Sequence, residues 1–122
     1  MNIELPFGFK EDSRTFLRRC GYAEFNDYNS GKTSYTRRFG SDFYPRFHIY
    51  VKDVEGKDII NLHLDQKKPS YAGSTAHSGE YDGPLIEQEA RRIVGLIKNQ
   101  MDNQASQPKP VEKKGFFSKL FS

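Results

Sequence analysis

Alternating apolar and polar residues indicate two neighbouring strands in the middle of the chain. Apolar side chains occupy every second position of residues 46–53 and, with Ile59 as the exception, of residues 57–65. Glu55 and Gly56 lie between the two runs and are typical of a two-residue hairpin turn. With this turn, the numbers of two residues that face each other across the strands add up to 111. The pattern therefore predicts a hairpin with one apolar and one polar face.

The polar face of this hairpin holds most of the candidate chemistry of the chain. The predicted register places His48 directly across from His63, and facing side chains in a sheet have Cβ atoms about 5 Å apart. Further polar side chains belong to the same face: Arg46, Tyr50, Lys52, Asn61 and Asp65.

Three further patterns surround the hairpin. Residues 11–20 predict a short amphipathic helix that ends at Gly21. Turn signals within residues 22–45 predict two more strands, and apolar spacings of three and four over residues 85–101 predict a second helix that Pro84 opens. The fold class is therefore α+β in two layers, with the order αββββα. A four-stranded antiparallel meander is covered on one face by two helices and followed by a flexible C-terminal tail.

The chain divides into one domain and a tail. Residues 1–101 form the α+β domain, and residues 102–115 form a polar linker with two prolines. Residues 66–83 form an 18-residue connection without regular pattern, longer than compact domains usually carry without a functional reason. Residues 116–122 are an apolar hook, and we expect it to dock in a groove of a protein partner rather than anchor to a membrane. Four apolar side chains would make that contact: Phe116, Phe117, Leu120 and Phe121.

Composition restricts the class of protein. The single cysteine, Cys20, excludes an internal disulfide, and no apolar run approaches the roughly 18 residues that a membrane span needs. We therefore expect a cytoplasmic location. The net charge is +3, from 19 Lys and Arg against 16 Asp and Glu, and such a balance permits contact with nucleic acid.

The three histidines support two kinds of chemistry. His48 and His63, with His77 from the long connection and Asp65 as a carboxylate, have donor atoms that suit a divalent metal ion. The same imidazoles could instead serve as general base and general acid in phosphoester cleavage without a metal. A solvent-facing polar surface with no specific role is the third interpretation. The spacing alone does not choose among the three.

The polar face also has the composition of a binding surface for an anionic ligand. Aromatic rings stack on bases and cations pair with phosphates, and this surface would combine both: Arg37, Arg46, Tyr50, Lys52, Lys67 and Tyr71. We therefore expect a small binding or adaptor module for nucleic acid or a phosphorylated molecule. The alternative is a small histidine-dependent or metal-dependent hydrolase or nuclease.

Two stretches resemble known groups of proteins. The segments YPRFHIY, NLHLDQKKPSYAG and AHSGEYDG, within residues 44–83, resemble a block that recurs in small bacterial proteins with no assigned activity, so this resemblance implies no catalytic residue. The run FLRRCGY followed by strands is similar to the opening of HicA-type RNA-cleaving toxins, which have the order αβββα. That family has its active histidine after a Gly-Ser pair, whereas residues 31–34 read GKTS here. The second resemblance therefore implies a related sheet and no catalytic histidine.

Overall fold

The computed structural model describes residues 1–66, 79–80 and 82–106, with residues 79–80 described by their backbone only. Within these residues the strands are β1 (Asn2–Glu4), β2 (Ala23–Asn26), β3 (Thr33–Arg38), β4 (Arg46–Val54), β5 (Lys57–Asp65) and β6 (Gly79–Glu80). The helices are α1 (Ser13–Arg19) and α2 (Pro84–Ser106). The predicted α+β class is confirmed.

Strands β4 and β5 form the predicted hairpin in the predicted register. His48 pairs with His63 across the two strands. Glu55 and Gly56 have φ angles of 54° and 82°, and two positive φ angles in a row are what a type I′ turn requires. The register turns the apolar side chains of both strands toward the helices, where they are buried: Phe47, Ile49, Ile60, Leu62 and Leu64.

The sheet is larger than the predicted meander. Strands β2 to β5 follow one another as expected, but β1 pairs antiparallel with the outer edge of β5, and β6 pairs with the end of that same strand. The prediction of four strands was therefore too low. A three-residue strand with one buried residue, Ile3, has too few positions to show alternation.

Both helices pack on the apolar face of the sheet. Asp12 caps α1, because its carboxylate accepts a hydrogen bond from the backbone N–H of Thr15 at 2.8 Å. The helices contribute their apolar stripes to the core cluster of the described residues: Phe16, Leu17, Ile86, Ala90, Ile93 and Ile97. The opposite face of the sheet carries polar side chains and positions the candidate site.

Helix α2 continues five residues past its expected end at Met101. The side-chain amide of Gln104 donates to the carbonyl of Gly8 at 2.8 Å and accepts from the backbone N–H of Lys10 at 3.1 Å. These polar contacts stabilise the last turns of α2. The spacing of apolar residues could not predict these turns, because the contacts that stabilise them are polar. No helix in the described part of the chain is long and apolar enough to cross a bilayer.

Candidate functional site

A cluster of hydrogen-bonded side chains surrounds Asp65 on the polar face of the sheet. Nδ1 of His48 lies 2.9 Å from Oδ2 of Asp65, and Nε of Arg46 donates to the same oxygen at 3.0 Å. Nε2 of His63 lies 3.1 Å from Oδ1. One carboxylate thus holds two imidazoles and a guanidinium. We call these four residues, together with Ser34, the Asp65 cluster.

The hairpin register brings the cluster together. His48 and His63 are one cross-strand pair, and Arg46 and Asp65 are another pair two positions along. Side chains at alternate positions of a strand lie on the same face, so the two pairs are adjacent there. The sequence therefore predicted correctly that Asp65 adjoins the paired histidines.

The two histidine rings are buried. His48 is 6% exposed and His63 is 7% exposed, so a solvent-facing surface does not describe them. Their ring centroids are 4.8 Å apart, and the ring of Tyr50 stacks on His63 with an interplanar angle of 14°. Burial in this packed arrangement fixes the direction in which the ring nitrogens point.

The surroundings of Asp65 keep its carboxyl ionised. Burial by itself raises the pKa of Asp65, but the hydrogen bonds from His48, His63 and Arg46 outweigh that effect. The net result is a pKa far below the ordinary value of an aspartate. Asp65 is therefore a permanent acceptor at neutral pH.

Ser34 extends the cluster in a direction that the sequence did not reveal. Its Oγ lies 2.8 Å from Nε2 of His48. Because an ionised carboxylate only accepts hydrogen bonds, Nδ1 of His48 donates to Asp65, and in the neutral ring Nε2 then accepts from the Ser34 hydroxyl. A hydroxyl, an imidazole and a carboxylate in this order are the arrangement that activates a serine nucleophile.

The cluster also has donors that suit a metal ion. His48, His63 and Asp65 each offer a ligand atom, and these atoms lie within 4.8 Å of one another. Imidazole nitrogens and carboxylate oxygens are typical zinc ligands. The guanidinium of Arg46 contacts the same carboxylate, however, and its positive charge opposes a second cation there. The other predicted ligand, His77, lies outside the described residues.

Beside the cluster, the polar face forms a groove of about 750 Å³. Two lysines, two aromatic rings and two small polar side chains are among its lining residues, and we call them the lysine groove: Phe25, Lys32, Ser34, Tyr50, Lys52 and Asn61. Phe25 is 44% exposed, which leaves its ring accessible from this side. Ser34 belongs to both the groove and the Asp65 cluster, so the two are continuous.

The structure separates the residues predicted to bind an anionic ligand. Tyr50 and Lys52 line the lysine groove. Arg46 is largely buried against Asp65, with its guanidinium 4.7 Å from the ring centroid of Tyr44. Lys67 and Tyr71, like the hook residues Phe116, Phe117, Leu120 and Phe121, lie outside the described residues.

The prediction that Arg37 shares this polar face was wrong. Arg37 pairs with Phe47 across β3 and β4, which places it on the face that the helices cover. Its Nη1 lies 3.3 Å from Oε1 of Glu89 in α2. The sequence of β3, TSYTRR, has a single large apolar side chain, so alternation could not assign its faces. For the same reason the position of Ser34 beside His48 was missed.

Comparison of the chain with protein-family models, curated proteins and solved structures found no match. The two resemblances seen in the sequence therefore stay predictions.

Proposed function

We propose that the lysine groove binds an anionic ligand that carries a ring, as a nucleic acid strand or a phosphorylated nucleoside does. The observation that carries this proposal is the combination of Lys32 and Lys52 with the rings of Phe25 and Tyr50 around one groove. Rings stack on bases and lysines pair with phosphates, so both parts of such a ligand would have a partner.

The charges around the groove support the same conclusion. Neither Lys32 nor Lys52 takes part in any ion pair of the described residues, so both ammonium groups are available to a ligand. The guanidinium of Arg46 compensates the charge of Asp65. Asp27, at the rim of the groove, accepts hydrogen bonds within its own turn and still carries its charge. We therefore expect the phosphates to lie nearer to Lys52.

Salt-dependent binding tests the proposal. Binding of a labelled oligothymidylate is followed by fluorescence anisotropy, with adenosine triphosphate as the competitor. The two ligands distinguish a site for a nucleic acid strand from a site for a mononucleotide. The variants Lys32→Ala and Lys52→Ala should each reduce the slope of log affinity against log salt by about 0.7. Phe25→Ala should weaken binding by about 1 to 3 kcal/mol through lost stacking.

Lys98→Ala is the matched control, because it removes one exposed positive charge from α2, away from the groove. We expect this variant to bind like the wild type. If neither ligand binds at about 50 mM salt, where phosphate contacts are strong, the result would contradict the proposal. Equal losses in Lys98→Ala and Lys52→Ala would also contradict it, since they would indicate attraction by net charge only.

A second candidate function, hydrolysis, is favoured by the distances of 2.8 and 2.9 Å that connect Ser34, His48 and Asp65. In this reaction His48 Nε2 takes the hydroxyl proton while Ser34 Oγ forms a bond to an acyl or phosphoryl centre. The leaving group departs with the proton from His48, and water then releases the bound group by the reverse sequence. Asp65 stabilises the imidazolium throughout.

Covalent labelling tests this second candidate. Ser34 is only 3% exposed but borders the lysine groove, so a fluorophosphonate probe should label it slowly in the native protein. Ser34→Ala and His48→Ala should each abolish labelling. Ser30→Ala removes another hydroxyl that lines the lysine groove and is the control that should keep it. Labelling that survives in Ser34→Ala, or no labelling of the native protein, would contradict a serine nucleophile.

The metal-dependent form of the hydrolase needs a separate test. If His48, His63 and Asp65 bind zinc, then Zn²⁺ should raise the melting temperature and a chelator should reverse the change. His63→Ala should remove the effect. Equal melting temperatures with zinc and with chelator would exclude this form and leave the metal-free one.

A further inference from the structure

A second groove, of about 640 Å³, lies on the other side of the sheet, between α2 and the end of β3. Arginines dominate its lining, and we call it the arginine groove: Arg37, Arg38, Arg91 and Arg92. Glu89, which is buried, is the one acidic residue among the described residues that line it. No feature of the proposed ligand site explains this concentration of guanidinium groups.

Glu89 orients two of the arginines. Its carboxylate accepts from Nε and Nη2 of Arg92 at 2.9 and 2.7 Å, and from Nη1 of Arg37 at 3.3 Å. The hydroxyl of Tyr22 donates to it at 2.7 Å. One negative charge therefore holds two guanidinium groups in fixed positions, and with the third, on Arg91, the groove has a net positive charge.

The floor of the groove is apolar. Phe39 packs on Phe47 with ring centroids 4.8 Å apart, yet Phe39 and Leu85 each remain 46% exposed. Arg91 is exposed on α2 and takes part in no ion pair of the described chain. The groove thus offers guanidinium groups around an exposed apolar surface, a combination common where proteins bind one another.

We propose that the arginine groove binds an acidic segment of a partner protein. A carboxylate of the segment would pair with Arg91, whose planar guanidinium matches it with two parallel hydrogen bonds. Further carboxylates would accept from the donors of Arg37 and Arg92 that Glu89 and the Cys20 carbonyl leave free. An apolar or aromatic side chain of the segment would pack on Phe39 and Leu85.

Charge complementarity points to a second protein rather than to this chain. Residues 67–78 and 107–122 together contain six lysines and one glutamate, so both segments have the same sign of charge as the groove. A basic segment gains nothing from a guanidinium cluster, whereas an acidic one does. The occupant must therefore be an acidic segment, and neither of these two is acidic.

The arginine groove is independent of the lysine groove. Arg37 faces the helices, whereas Ser34, an odd number of positions away in the same strand, faces the polar side. Substitutions in one groove therefore leave the other intact, and either proposal can fail without the other.

A random copolymer of glutamate and tyrosine is a suitable probe, because it presents acidic and aromatic residues in many arrangements. Binding to the full-length protein is compared with that of polyglutamate and of an oligothymidylate, by fluorescence anisotropy at low salt. We expect the copolymer to bind about tenfold more tightly than polyglutamate, because only the copolymer can also use the apolar floor.

Matched variants locate the binding. Arg91→Ala should weaken copolymer binding about five- to tenfold, and Leu85→Ser should reduce the preference over polyglutamate. Lys98→Ala removes a cation two turns further along α2 and should bind like the wild type. Unchanged melting temperatures would show that the variants stay folded.

Three results would overturn the proposal. They are absence of copolymer binding at low salt, equal binding of copolymer and polyglutamate, and equal losses in Arg91→Ala and Lys98→Ala. If the oligothymidylate binds more tightly than the copolymer, and Arg91→Ala abolishes that binding, the groove would be assigned to nucleic acid instead.

Discussion

Nδ1 of His48 lies 2.9 Å from Oδ2 of Asp65, and this contact joins two residues that face each other diagonally across the β4–β5 hairpin. The ring is buried and the carboxylate is ionised, so the hydrogen bond is made where water competes least. Two more donors, on Arg46 and His63, depend on the same carboxylate. Asp65 is thus the common acceptor of three polar side chains.

We expect Asp65→Asn to lower the free energy of unfolding at pH 7 by about 2 to 4 kcal/mol, because a neutral amide replaces the charge that three donors share. The loss should depend on pH. The pKa of Asp65 is lowered in the folded state, so the unfolded chain binds a proton that the folded protein does not as the pH falls below the ordinary aspartate value. Stability from this group is complete above that value and decreases below it, by up to about 1.4 kcal/mol per pH unit.

Urea unfolding between pH 7 and about pH 2.5, followed by circular dichroism, measures this dependence. The difference in the free energy of unfolding between the wild type and Asp65→Asn should decrease as the pH falls. Asp102→Asn, at an exposed position of α2, is the control and should follow the wild type. A difference that stays constant over this range would contradict the role given to Asp65.

The hairpin and its histidine pair could be predicted because two independent features of the sequence agree. The position of Glu55 and Gly56 sets the register, and the alternation in both strands requires the same one. The contact of Asp65 with His48 then follows from geometry. Burial of the rings did not follow, because alternation describes one sheet face and says nothing of what packs above it.

Elements without periodic apolar residues were beyond prediction. The seven residues 39–45 connect β3 to β4 without a tight turn, so the sequence could not set the register of β3. Ser34 was therefore assigned to no face of the sheet, and Arg37 was assigned to the wrong face. Glu89 did carry a signal in the sequence. It stands three residues after Ile86 on the buried stripe of α2, and Arg92 follows at the same spacing. A charged residue on an apolar stripe indicates a buried ion pair.

The Tyr22 hydroxyl should contribute measurably to stability through Glu89. Burial, followed by the hydrogen bond to Glu89, raises the pKa of Tyr22 well above its ordinary value, so the phenol stays a donor. We expect Tyr22→Phe to reduce the free energy of unfolding by about 1 to 3 kcal/mol, since the bond is to a charged, buried acceptor. Urea unfolding measures it, and Tyr28→Phe, at a fully exposed ring, should have no effect. Equal effects of the two variants would show that the bond to Glu89 contributes nothing.

Cys20 should be inert to thiol reagents in the folded protein. The side chain is 2% exposed, and burial raises the pKa of its thiol to about 11 despite the opposing charges of Arg92 and Arg19. Reaction requires an accessible thiolate. We expect Ellman's reagent at about pH 8 to react only in step with urea unfolding, at a rate far below that of a free thiol of ordinary pKa. Complete labelling in native buffer would contradict the packing of α1 against the sheet.

Gly95 is a position where a substitution should stabilise the folded protein. It lies in the exposed part of α2, and a Cβ built on it meets no atom within 4 Å. Glycine in a helix interior costs about 1 kcal/mol relative to alanine, mainly because the unfolded chain loses more conformational freedom on folding. Gly95→Ala should therefore raise the free energy of unfolding by about 0.5 to 1 kcal/mol.

Gly56→Ala is the matched comparison for Gly95→Ala. A Cβ at Gly56 also meets no atom within 4 Å, but the φ of 82° in the hairpin turn is one that alanine adopts only with strain. We expect this variant to lose about 1 kcal/mol or more. The two substitutions make the same chemical change in equally open space, so opposite signs in urea unfolding would isolate the backbone conformation as the cause. A loss of stability in both variants would instead show that Gly95 is needed for more than its place in the helix.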